Sequence, residues 1–125
     1  MIILTNHMVV LRDTIDNYSL ELYLLADVLL SFMAKNLGVN PEVITNMFKD
    51  GIQSMRINYY PPCPLADKAL GFTPHSDGSL ITLVLQINEV QGLQIKKNGG
   101  WVPVKPLPGA LVVNIGDILE VIMIL

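Results

Sequence analysis

In the run "GFTPHSDGSL", residues 71–80, a histidine and an aspartate stand one residue apart between a proline turn and an apolar strand. Residues i and i+2 of an extended segment project to the same side, so the imidazole of His75 and the carboxylate of Asp77 can reach one ion. Donors of these two types form two corners of the 2-His-1-carboxylate facial triad, which leaves open positions on non-haem Fe(II). The same pair has a second reading. In a turn, Asp77 would accept backbone amides ahead of "GSL" and His75 would lie on the surface.

A further signal lies just upstream in "SMRINYYP". Strand alternation puts Arg56, Asn58 and Tyr60 on one face and Met55, Ile57 and Tyr59 on the other. The first face carries groups able to hydrogen-bond a carboxylate or another anion. It also reads as the solvent face of an edge strand. The segment matters because it leads through the proline-rich "YPPCP" directly toward His75 and Asp77.

The elements that must hold these residues follow two different periods. From Arg12 to Leu37, Ile15, Tyr18, Leu22, Ala26, Leu29, Leu30, Met33 and Leu37 recur at steps of three and four, which predicts a long helix with one apolar stripe. Gly38 supplies a left-handed stop. Asn40 and Pro41 provide an N-cap and a first helical residue for a second, short helix to about Phe48, ended by "KDG". Beyond Gly51 the pattern is strand and turn, with strands expected near 53–60, 80–87, 92–97, 101–105 and 110–115 between Pro- and Gly-rich breaks. The glycines of "NGG" are expected in a hairpin turn.

The 125 residues allow one modest domain, half of them are apolar, and 15% are charged, which is a folding composition. A mean hydropathy of +0.48 is high for a domain of this size and suggests a core segment of something larger. "LYLLADVLLSFMA" is interrupted by Asp27 and "VIMIL" is short, so no membrane span is expected. The start "MIILTNHMVVLRD" has neither the basic region nor the cleavage site of a signal peptide. One cysteine, Cys63, allows no internal disulfide and suits a reducing, cytoplasmic setting. A net charge of −3 without basic clusters argues against nucleic acid as partner.

Taken in order, "MRINYYPPCP", "HSDGSLITLVLQ" and "VQGLQIKKNGGWVPVKPLPGALVVNIGD" closely resemble the plant 2-oxoglutarate- and Fe(II)-dependent dioxygenases of the isopenicillin N synthase-like superfamily. "LLSFMAKNLGVNPE" resembles the helix that precedes their catalytic core, so the likeness runs over about residues 11–120. Among subgroups the chain looks most like SRG-type enzymes, which include codeine O-demethylase-like proteins.

The resemblance implies an α+β fold: N-terminal helices over residues 1–50, then an incomplete double-stranded β-helix, or jelly roll, over 51–125. It makes His75 and Asp77 iron ligands and assigns Asn58 and Tyr60 to the 2-oxoglutarate pocket. Ser76 falls where the family has threonine or serine and is expected to serve turn geometry. Trp101 is expected to pack, Cys63 to be a structural thiol, Asp117 a turn acid and Glu120 a surface acid. The implied reaction converts 2-oxoglutarate and dioxygen to succinate and CO2, with ascorbate in support, while a small plant metabolite is hydroxylated, demethylated or desaturated.

The family pattern continues with a second histidine ligand and an Arg-x-Ser pair that this sequence, ending at Leu125, does not contain. The expectation is therefore an internal piece, truncated at the C terminus, that binds Fe(II) weakly and is inactive alone. The other histidine, His7, lies in "MIILTNHMVV", which departs from the family, and no compensating role is expected of it. The alternative class is a non-catalytic β-rich fragment whose exposed strand edges pair with a partner.

Overall fold

The computed structural model describes residues 6–47 and 49–124, with residues 6–8 as backbone only. The side chain of His7 and the expected helix end at Phe48 thus lie outside the described residues. The chain divides into two compact units, one running to Pro74 and one beginning at His75.

The first unit is built on α1 (Asn6–Asn36) and α2 (Pro41–Asn46). α1 starts earlier than the expected Arg12. Nothing from Asn6 to Arg12 is Pro or Gly, and each residue added to an existing helix fixes one residue for one more hydrogen bond. Of the expected stripe, Ile15, Leu22, Ala26, Leu29, Leu30 and Met33 are at least half-protected, whereas Tyr18 and Leu37 are exposed. α1 packs on α2, and Leu30, Ala34 and Ile44 form the fully buried core of this unit. Away from it, Leu20, Leu24, Val28 and Phe32 line up at four-residue steps and remain exposed.

The junction between the helices follows the sequence signals closely. Gly38 has φ of 72°, Val39 N–H donates to Ala34 O at 2.9 Å and Gly38 N–H to Lys35 O at 3.1 Å, the bonding pattern of a Schellman stop. Two residues on, the side-chain oxygen of Asn40 accepts from Glu42 N–H at 3.1 Å, with Pro41 opening the helix.

The strand expected at 53–60 does not form. Residues 51–63 are exposed and in no ladder; a strand exists only where a second backbone completes its hydrogen bonds, and none of the described residues does so here. Arg56 and Tyr60 both meet the 71–72 segment. The Arg56 guanidinium lies 5.5 Å from the centre of the Phe72 ring, and the Tyr60 ring lies so close over Gly71 that a Cβ there would meet Cε1 at 2.9 Å.

The second unit holds β1 (Ile81–Leu85), β2 (Gln94–Lys97), β3 (Gly100–Pro103), β4 (Leu111–Ile115) and α3 (Asp117–Ile124). Four of the five expected strands are thus present, within a few residues of their expected ends. They make two antiparallel ladders, β1 with β4 and β2 with β3, and no closed barrel among the described residues. β1 pairs from Ile81 opposite Ile115 to Leu85 opposite Leu111. α3 was not expected. Asp117 followed by Glu120 ahead of an apolar run is a helix-start signature, and Leu119 on this helix is fully buried.

β2 and β3 are joined by Asn98 and Gly99, with φ of 50° and 81°, the two-residue turn whose twist matches antiparallel strands. The glycine expectation for "NGG" holds at the second position of this turn. Gly99→Ala keeps ample space, since no atom lies within 4 Å of the added Cβ, but places a side chain in the left-handed region. It is expected to cost about 1 kcal/mol, read as a lowered midpoint in urea unfolding.

Candidate metal site

Residues 72–78 run from a bend into β1, and the β1–β4 ladder anchors their far end. At its start the side chains of His75 and Asp77 converge, with Nε2 of His75 3.4 Å from Oδ1 of Asp77. His75 is 46% and Asp77 24% exposed, so the pair opens to solvent on one side. Two cis ligands about 2.1 Å from a first-row ion sit about 3 Å apart, so this pair needs only a small closing movement to share one. The donor set, one imidazole nitrogen and one carboxylate oxygen, suits Fe(II). Among the described residues no group of three His, Cys, Asp or Glu side chains gathers for a metal.

The segment is fixed from the other side by the β4–α3 corner. Ser76 Oγ donates to Asp117 Oδ2 at 2.8 Å, and the Asp117 backbone N–H donates to Asp77 O at 2.8 Å. Gly116 N–H donates to Leu80 O at 3.0 Å and Ile118 N–H to Ser79 O at 3.4 Å. Asn114 Nδ2 makes a long contact, 3.5 Å, with Asp77 Oδ2, leaving Oδ1 toward His75. Ser76 thus has a specific partner beyond general turn geometry, and Asp117 opens a helix rather than ending a strand. Asn114, Gly116 and Asp117 were not singled out for this site from sequence, although "NIGD" carried the signal of a close-approach glycine followed by a helix start.

The other sequence candidates are described within their own units. Asn58 and Tyr60 belong to the first unit and are exposed, Tyr60 against Gly71. Cys63 is exposed, Trp101 on β3 is 49% exposed, and Glu120 is exposed on α3. A shallow cleft lined by Gln86, Lys105, Leu107 and Leu111 includes neither His75 nor Asp77.

A family model described as the 2OG-Fe(II) oxygenase superfamily matches residues 51–124. The chain belongs to that superfamily. It is 52% identical over 111 residues to oxoglutarate-dependent flavonoid 7-O-demethylase 1 of Ocimum basilicum, covering 89% of this chain and 30% of the relative. With thebaine 6-O-demethylase of Papaver somniferum it shares 55% identity over 114 residues, 89% of this chain and 31% of that one. Protein SRG1 of Arabidopsis thaliana is 54% identical over 113 residues, with 89% and 32% covered. The crystal structure of JOX2 in complex with 2OG, Fe and JA matches with a TM-score of 0.76 and 36% identity over 87% of this chain and 33% of JOX2. The helices and antiparallel strands are therefore those of a 2OG-Fe(II) oxygenase jelly roll, and the SRG-type expectation holds. The chain spans about a third of the length of the curated relatives it matches. No helix among the described residues is long and apolar enough to cross a membrane.

Proposed function

We propose that the chain supplies part of the active centre of a 2-oxoglutarate- and Fe(II)-dependent dioxygenase acting on a small plant metabolite by hydroxylation, demethylation or desaturation. The observation that carries this reading is the convergence of His75 Nε2 and Asp77 Oδ1 to 3.4 Å in a chain of this superfamily. Fe(II), when bound, supplies open coordination positions at which 2-oxoglutarate and dioxygen react, giving succinate and CO2.

His75 and Asp77 hold the ion. Their combined charge is −1 with the imidazole neutral, so a divalent ion keeps net positive charge for an anionic co-substrate. Asn58 and Tyr60 contribute an amide and a phenol to the 2-oxoglutarate carboxylate, both neutral donors that orient without cancelling that charge. The partners are dioxygen and the metabolite, with ascorbate as a supporting reductant and the cytoplasm as the setting.

The test is anaerobic Fe(II) titration by calorimetry. His75→Ala is expected to remove the binding heat of the unaltered chain, because a methyl group offers no lone pair. Undiminished Fe(II) binding by that variant would mean that the ion is held elsewhere.

A further inference from the structure

We propose that Asp117 is a positioning residue for the metal pair, acting through Ser76, within a corner formed by Asn114, Gly116 and Asp117. The inference rests on the reading of His75 and Asp77 as ligands and concerns what holds them in register.

Ser76 lies between the two ligands, so alternation sends its side chain away from theirs. Its 2.8 Å bond to Asp117 Oδ2 therefore fixes the rotation of the segment about its own axis without taking a ligand position. The backbone bond from Asp117 N–H to Asp77 O, also 2.8 Å, fixes the same segment one residue on. One residue of α3 thus grips both Ser76 and Asp77. Asn114 adds a third contact at Asp77 Oδ2, which directs the opposite oxygen, Oδ1, to His75. Rotation about the segment and rotation of the carboxylate are two of the freedoms that would otherwise separate the donors.

These residues are 37 to 41 positions apart in sequence and meet because β1 and β4 pair with Ile81 opposite Ile115. A one-residue slip in that register would carry Asp117 off Ser76. Asp117 is not a third ligand: its Oδ2 is engaged by the Ser76 hydroxyl, and no three metal-binding side chains cluster among the described residues. Partners that orient metal ligands typically matter about tenfold to hundredfold in metal affinity.

The test uses the full 125-residue chain and Co(II), a redox-stable probe with visible absorption, together with far-ultraviolet circular dichroism to establish folding. Ser76→Ala and Asp117→Ala are each expected to weaken Co(II) binding by about tenfold to hundredfold. The double variant is expected to be no worse than the weaker-binding single one, since both remove the same bond. Ser76→Thr retains the hydroxyl and Asp117→Asn retains an acceptor oxygen, so both are expected to bind like the unaltered chain, with the same Co(II) spectrum. If Asp117→Asn fails as badly as Asp117→Ala while Ser76→Ala is neutral, Asp117 acts on the metal directly and the proposal is wrong. If His75→Ala abolishes binding but Ser76→Ala and Asp117→Ala do not weaken it, the ligands stand and the positioning role falls. If His75→Ala leaves binding intact, both fall together.

Discussion

Gly116→Ala is expected to unfold the unit that begins at His75, although it adds one methyl group and alters no candidate ligand. Gly116 is buried where β4 turns into α3, and its backbone is pressed against the Asp77–Ser79 turn. An added Cβ would overlap the Ser79 carbonyl oxygen outright and would lie 2.6 Å from its carbon and 3.0 Å from Asp77 O. The obstructing atoms are backbone, so no side-chain rotation relieves them. The strand end and helix start must back away from the turn, and the bonds Gly116 N–H to Leu80 O, Asp117 N–H to Asp77 O and Ile118 N–H to Ser79 O go with them. At about 1 kcal/mol net each, those three bonds amount to about 3 kcal/mol before any strain or loss of packing around Leu119. A unit this small has only a few kcal/mol in reserve. Loss of the strand signal in circular dichroism and of protected amides on β1 and β4 is the expected result. A variant that keeps both, with an unchanged urea midpoint, would mean that the close approach at Gly116 is not what holds the corner together.

Why the sequence pointed to the His75–Asp77 pair but not to this corner is a matter of range. His75 and Asp77 are local: a spacing of two on an extended segment puts two side chains on one side whatever the remainder of the chain does. Gly38, Asn40, Pro41 and the Asn98–Gly99 turn were legible for the same reason, because each satisfies a backbone need within a few residues. The 53–60 segment marks the limit of that logic. Alternation can say which side chains would share a face of a strand, but it cannot tell whether another backbone arrives to pair with it.

α3 failed differently. Its "DILEVIMI" is apolar nearly throughout, so there was no periodic stripe to read, and the one usable sign was the acid pair Asp117 and Glu120 at its start. Once α3 was unread, Asp117 could only look like a turn acid. Its contact with Ser76 needs the β1–β4 register and the helix together, and neither is a property of a short window of sequence.

Asp77→Ala is expected to leave the fold intact while removing metal binding, and so to separate the two readings of the His75–Asp77 pair. If Asp77 were principally a turn acid, its carboxylate would be bonded to nearby backbone amides and its loss would loosen the turn. Instead the carboxylate faces His75 at 3.4 Å and Asn114 at a long 3.5 Å, while the bond that ties residue 77 to α3 uses its backbone oxygen, which alanine keeps. The side chain is partly exposed, so no buried polar partner is stranded, and the stability cost should stay within about 1 kcal/mol. Metal affinity should fall by more than about a hundredfold, beyond the range seen for groups that merely orient ligands, because the anionic donor itself is gone. Asp77→Asn restores a neutral oxygen of the same shape and should recover only part of that loss, since charge as well as geometry draws a divalent ion. The measurements are a urea midpoint and a Co(II) titration on the same preparations. A collapsed midpoint with Asp77→Ala would favour the turn reading, and a retained midpoint with retained Co(II) affinity would remove Asp77 from the site altogether.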